Sequence, residues 1–229
     1  KFDPIFPWRA LDLFDAIVYM HKNDRDTAVK IYGVNPNKTH IIPHAVDSLK
    51  VFESDVNEKK NKEKYLVSLG SIVPRKNVNF TAEICENNNI PIKFIGHPFD
   101  KESTYYKEFV NIANTAKVEY LNYLDEEEKI KVLKGASGFV LLSFGESGCI
   151  AVYEAGATGL PLLLSDLPWA KGYDDPKSIE FCSPTNYKEA EKKLIEFYKS
   201  TEKQNNPTFK VRNWEDIAKM YRQVYKSIQ

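Results

Sequence analysis

Phe139-Val-Leu-Leu-Ser-Phe-Gly-Glu-Ser-Gly-Cys-Ile-Ala-Val-Tyr-Glu-Ala-Gly-Ala-Thr-Gly-Leu-Pro-Leu-Leu-Leu-Ser-Asp166 reads as strand, loop, helix, strand. The apolar run at Phe139 to Leu142 has the length of a buried strand, and Leu162 to Asp166 repeats it. Between them, Cys149 to Thr158 is rich in small and helix-favouring residues and predicts a short crossover helix. Two glutamates punctuate the unit. Glu146 falls in the strand-to-helix loop and Glu154 well into the helix.

The same alternation extends in both directions. Strands are expected near 65–70, 92–95, 118–121, 138–142, 162–165 and 179–181. Helices are expected at Asn79 to Cys85, Tyr105 to Thr115, Glu126 to Lys134, Cys149 to Thr158 and Tyr187 to Thr201. That order predicts an α/β fold, a doubly wound parallel sheet covered by helices on both faces. Ligands of such sheets bind outside the carboxyl ends of the strands, and Gly70, Gly96, Tyr123 and Glu146 all fall at such ends. Upstream, Asp15 to Met20 reads as a further strand and Asp24 to Tyr32 as a helix. Downstream, Asn213 suits a helix N-cap, and Trp214, Ile217, Met220, Tyr221 and Tyr225 recur at helical spacing.

Eight helical steps separate Glu146 from Glu154, roughly 12 Å at 1.5 Å per residue. Carboxylates suit vicinal hydroxyls, so the pair is placed to hold two hydroxyl-bearing ends of one elongated ligand. The intervening Ser147, Gly148, Cys149 and Ile150 open the helix, whose free N–H groups suit a phosphate. The alternative is a pair of solvated glutamates. A second segment, Tyr65-Leu-Val-Ser-Leu-Gly-Ser-Ile-Val-Pro-Arg-Lys-Asn77, is a strand, a turn at Gly70 and Ser71, then Arg75 and Lys76. Paired cations beside a strand-end glycine form either a diphosphate clamp or an exposed basic turn. Tyr123 and Leu124, after the third strand, either face a ligand or pack, and His97 beside Gly96 either faces a ligand or is a surface-loop histidine.

The segment from Ser143 to Pro161 resembles the donor-binding motif of retaining glycosyltransferases of the GT-B fold, family 4 or group 1 type, and the Gly70 to Lys76 segment resembles their diphosphate loop. The resemblance implies a Rossmann-like C-terminal half that binds a nucleoside-diphosphate sugar without a metal. It assigns Glu146 to the transferred sugar, Glu154 to the ribose and Lys76 to the diphosphate. Ser71 stands where the family carries Arg, a departure for which Arg75 offers a bidentate fork. It also implies domains: residues 1–47 as the end of an acceptor-side domain, 48–64 as a charged connector, 65–212 as the donor-binding domain, and 213–229 as a helix crossing back. The expected partners are a sugar-nucleotide donor, a glycan, lipid-linked or other hydroxyl acceptor, and a preceding acceptor-side domain or a partner subunit. Hexose transfer with retention is the expected reaction. The alternative is a non-catalytic nucleotide-sugar-binding module, or the donor subunit of a split enzyme.

Composition narrows the field. Lys plus Arg equals Asp plus Glu at 32 each, which argues against nucleic acid as a partner. No apolar run has membrane-spanning length. Three cysteines, Cys85, Cys149 and Cys182, fit neither a zinc site nor a disulfide framework and point to a reducing compartment. A cytoplasmic location is therefore expected, with peripheral association at the cytoplasmic membrane face. Asp24-Arg-Asp26 spells a metal-binding motif but sits at a helix start, where acidic residues are common for other reasons. The loop from Gly70 lacks the glycine spacing of a dehydrogenase fingerprint.

Overall fold

Successive residues of each central strand face opposite sides of one sheet. Leu66, Ile92, Phe94, Val140 and Leu163 join one buried cluster, while Val67, Ile95, Phe139, Leu141, Leu162 and Leu164 join another. Strands buried on both faces read as continuous apolar runs, which is why no polar alternation marks them. The computed structural model describes residues 8–47, 64–113, 115–173, 178–201 and 212–228. The charged connector expected at 48–64 lies, except for Lys64, outside them.

The six strands are β3 (Leu66–Leu69), β4 (Ile92–Ile95), β5 (Val118–Tyr120), β6 (Gly138–Leu141), β7 (Leu162–Ser165) and β8 (Ile179–Cys182). All pair in parallel, in the order β5-β4-β3-β6-β7-β8. Numbered within the sheet this is 3-2-1-4-5-6, the doubly wound order whose direction reverses between β3 and β6. On one face pack α2 (Val78–Asn87), α3 (Thr104–Ala113) and α6 (Tyr187–Ser200), through Ala82, Ile84, Phe109, Leu194 and Phe197. On the other pack α4 (Glu126–Gly135) and α5 (Ile150–Ala157), through Ile130, Leu133, Val152 and Ala155. Fully buried Phe and Leu side chains of this kind each contribute about 1.5–3 kcal/mol of transfer free energy, so the two layers fix the sheet and with it the carboxyl edge.

The upstream residues form a separate parallel pair, β1 (Ile17–Tyr19) with β2 (Thr39–Ile41), joined through α1 (Lys22–Tyr32). The C-terminal α7 (Trp214–Ser227) packs on this pair: Ile217 and Val224 share a cluster with Ile42, Ala45 and Val18. Asn213 caps α7, its side chain accepting from the Asp216 N–H at 2.9 Å. Three details differ from the sequence reading. Thr39–Ile41 is a strand. The cap of α1 is His21, so that helix starts at Lys22 and Asp24 lies in its first turn. Arg75 and Lys76 occupy their own 3-10 turn (Pro74–Lys76), after which Asn77 takes a left-handed conformation before α2 begins.

Candidate functional site

The carboxyl ends of β3, β4 and β5 are stitched by backbone. The Gly70 N–H donates to Ile95 O at 2.9 Å and the Gly96 N–H to Asn122 O at 2.7 Å. Both glycines have positive φ, 151° and 142°, and a Cβ on Gly96 would lie 2.1 Å from Gly70 O. Only glycine allows the two turns to approach so closely. The Lys76 side chain lies over Gly70, where an added Cβ would meet its Cε at 3.1 Å.

Lys76 comes from the loop after β3 and Glu146 from the loop after β6, the two strands flanking the reversal in strand order. Their side chains meet: Lys76 Nζ lies 2.8 Å from Glu146 Oε1, with the Lys76 side chain 10% and the Glu146 side chain 7% exposed. Arg75 Nη1 reaches the same carboxylate oxygen at 3.0 Å, and its own side chain is half-exposed. Arg75 also donates to Gly145 O, and its backbone carbonyl accepts from the Phe144 N–H at 2.9 Å. It thus ties the β3 loop to the β6 loop. In the molecule as it stands, the carboxylate assigned to a sugar is seated on the cations assigned to the diphosphate.

The start of α5 is tightly built. Gly148, at φ 58°, has its Cα directed at Met20, so that a Cβ would stand 2.7 Å from Met20 Cβ. Cys149 is the N-cap, buried, with its sulfur 3.8 Å from Lys76 Nζ. Burial pushes the Cys149 thiol upward in pKa, with Lys76 pulling the other way, so the neutral thiol is favoured. The Tyr173 hydroxyl lies against the Cys149 N–H, and burial drives that phenol well above its ordinary range. Ser147 is exposed and donates to Asp24 Oδ2 at 2.7 Å. Asp24 thus contacts the loop that carries Glu146. Among the described residues, no group of three or more His, Cys, Asp or Glu is placed to hold a metal ion.

Glu154 sits apart from the Glu146 cluster, on the α5 side facing α4. Its Oε1 lies 2.6 Å from Lys129 Nζ, and Lys129 also reaches Glu126 Oε2 at 2.8 Å. Ser71 is half-buried on the Gly70 turn. Tyr123 is 71% exposed, with its ring 6.4 Å from that of His97. Leu124 packs partly buried against the core, so its packing reading has a direct observation behind it. The sequence reading gave no role to Lys129, Tyr173 or His21. Lys129 left one signal, its i,i+3 spacing from Glu126 in the first turn of a helix that starts at the sheet's carboxyl edge. His21 and Tyr173 left none, because their meeting, at 5.1 Å between ring centroids, joins segments far apart in sequence.

Residues 50–222 match the model of the family described as Glycosyl transferases group 1. The chain is 28% identical over 191 residues to the Escherichia coli UDP-Gal:alpha-D-GlcNAc-diphosphoundecaprenol alpha-1,3-galactosyltransferase, covering 71% of this chain and 46% of that protein. It is 26% identical over 147 residues to the Salmonella typhimurium O-antigen chain mannosyltransferase RfbU, covering 63% and 40%. It therefore spans less than half the length of these curated relatives. The crystal structure of a glycosyltransferase from Rickettsia africae superposes with a TM-score of 0.75 at 10% identity, over 97% of this chain and 68% of that one. Strand order and superposition define a domain of the GT-B glycosyltransferase fold, with a Rossmann-like parallel sheet. Within that class, the chain belongs to the group 1 glycosyltransferase family.

Proposed function

We propose that this chain is the donor-binding half of a retaining, metal-independent hexosyltransferase. It takes a nucleoside-diphosphate hexose and passes the sugar to a hydroxyl acceptor. The observation that carries the reading is the Lys76–Glu146–Arg75 cluster at the reversal in strand order. A diphosphate entering that crevice replaces the Glu146 carboxylate on Lys76 and Arg75. Glu146, released, turns to the hydroxyls of the sugar. As the bond from the anomeric carbon to the diphosphate breaks, negative charge grows on the leaving oxygen, and the two cations stabilise it more than they stabilise the ground state. On the retaining face the departing phosphate oxygen takes the acceptor's proton, so the chain needs no general base of its own. Glu154 holds the ribose, and Tyr123 with His97 borders the base.

The two curated relatives, named as a galactosyltransferase and a mannosyltransferase, support a hexose donor. The lipid-diphosphate acceptor in the E. coli protein's name supports a lipid-linked glycan acceptor, and with it work at the cytoplasmic membrane face. No helix among the described residues is long and apolar enough to cross a membrane. The acceptor is held by an acceptor-side domain or a partner subunit, and the packing of α7 on the β1–β2 pair supports a terminal helix that crosses back toward that side.

Saturation-transfer NMR with UDP-, GDP- and ADP-hexoses in excess chelator tests the reading. Saturable transfer to one nucleotide and its sugar, undiminished by chelator, is expected. Transfer to none of them, or transfer that vanishes with the chelator, contradicts it.

A further inference from the structure

Lys129 is a basic side chain that folding has pulled out of water at the carboxyl edge of the sheet. Its side chain is 16% exposed, in the first turn of α4, and it bridges Glu126 at 2.8 Å and Glu154 at 2.6 Å. Burial alone would lower its pKa, but the hydrogen bonds to the two carboxylates outweigh that and raise it, so the ammonium is charged throughout the neutral range. An ammonium has three N–H donors, and the two carboxylates use two. On Glu154, Oε1 is taken by Lys129, while Oε2 has no hydrogen-bond partner among the described residues. One donor on Lys129 and one acceptor on Glu154 thus remain, on two side chains already joined at 2.6 Å. A hydroxyl both donates and accepts, so it satisfies both at once. A hydrogen atom in its place leaves the third N–H of Lys129 and Oε2 of Glu154 unsatisfied.

We propose that Lys129 is a second ribose-binding residue, which with Glu154 forms a donor–acceptor pair for one ribose hydroxyl and makes the site selective for ribonucleotides over deoxyribonucleotides. The inference rests on the donor reading above. It adds that recognition is not the work of a carboxylate alone. The hydroxyl hydrogen goes to Glu154 Oε2 and the hydroxyl oxygen accepts from Lys129 Nζ. Sites built to hydrogen-bond a hydroxyl reject the analogue lacking it far more strongly than apolar pockets reject a size change. Glu126, about half-exposed, holds Lys129 from the solvent side and has no contact with the ligand in this scheme.

The test is calorimetric titration of the whole chain with UDP, GDP and ADP, followed by the 2′-deoxy and 3′-deoxy forms of whichever binds. Wild type is expected to favour the ribonucleotide by at least roughly tenfold over one of the two deoxy forms. Lys129→Met is expected to lower that ratio by at least roughly threefold, Glu154 keeping its own bond to the hydroxyl, and to change binding of the deoxy form less than binding of the ribo form. Lys129→Arg, which keeps the charge and the donors, is expected to restore most of the ratio. A merely structural lysine would instead weaken ribo and deoxy forms alike and leave the ratio in place, which would overturn the proposal. Should Lys129→Met not fold, judged by circular dichroism, Lys129→Gln reads the same ratio. Wild type that binds a nucleoside diphosphate with no preference between ribo and deoxy forms also overturns it, and leaves the donor reading standing. Wild type that binds none of the three overturns the donor reading itself.

Discussion

Lys76 and Glu146, one from each of the two strands between which the sheet reverses its order, form a nearly buried ion pair at 2.8 Å. An internal carboxylate therefore sits where a diphosphate would, and binding becomes an exchange of anions. The family resemblance assigns Glu146 to the sugar, and on that assignment alone its removal would leave a bare nucleoside diphosphate nearly unaffected. The ion pair changes that expectation. The ligand must break this pair, whose partners are held nearly out of water. Glu146→Gln should tighten bare diphosphate by roughly three- to tenfold, about 0.6–1.4 kcal/mol, while the added affinity conferred by the sugar is lost. Competition titrations with diphosphate and its hexose conjugate measure both. Equal weakening of both ligands would contradict the exchange.

The glycine pair below the cations makes a stability prediction. Gly96→Ala would drive a Cβ to 2.1 Å from Gly70 O in a backbone conformation that disfavours side chains. A cost of roughly 2–4 kcal/mol is expected from strain and displacement of the β3 turn. Chemical denaturation should show it, and diphosphate affinity should fall with it, since the Lys76 side chain rests on the Gly70 turn. A variant as stable as wild type would mean that the two turns can part freely.

Asp24, a poor candidate for a metal ligand, instead accepts from Ser147 at 2.7 Å. The bond joins α1 to the loop bearing Glu146. Both groups are near solvent, so the coupling is modest. A double-mutant cycle of Asp24→Ala and Ser147→Ala should give about 0.5–1 kcal/mol in urea denaturation. Full additivity would show that the contact contributes nothing to how the two segments are held.

His21 sets an acid limit. Its Nδ1 accepts from the Asn23 N–H at 3.2 Å, and its ring is buried against Tyr173 and Gly172. Burial lowers its pKa, with Asp24 opposing, and burial lowers that of His44 too. A histidine depressed in the folded state binds fewer protons folded than unfolded, so stability rises with pH across that interval. The contribution is complete above the unfolded value of about 6.5. It falls as pH drops below that and levels off under the folded value. His21→Asn keeps a capping side chain and removes the titration. It should lower Tm at pH 7.5, through the lost ring, and flatten the decline in Tm between pH 7 and pH 5. An unchanged slope would place the acid sensitivity elsewhere.

The layers of this fold are legible in the sequence because both faces of the sheet are buried. Runs such as Phe139 to Leu142 and Leu162 to Leu164 have no polar interruption, and Gly70 and Gly96 mark the carboxyl ends of β3 and β4. The helices are found to within two residues at their ends, where caps rather than periodicity decide. His21 as a cap is the exception, since its imidazole does a job that Ser, Thr, Asn and Asp usually do. Lys76 and Glu146 can each be picked out by residue type and place, but not their ion pair, which depends on β3 and β6 being neighbours. That adjacency is a property of strand order, and nothing local to either segment encodes it. Lys129 shows in the sequence only its spacing from Glu126, because its other partner, Glu154, lies on the next helix rather than one turn away.

Calorimetric titration of the wild-type chain and of Lys76→Met with UDP, GDP and ADP, without metal, tests the central claim most directly. Wild type is expected to bind one of them saturably. Lys76→Met, which deletes the buried cation but keeps the stem over Gly70, is expected to weaken that ligand by at least roughly tenfold, about 1.4 kcal/mol, as the loss of one charge-assisted contact to phosphate requires. Binding of equal strength in the two proteins would mean that the diphosphate does not sit at the β3–β6 reversal, and the account of the site would be wrong.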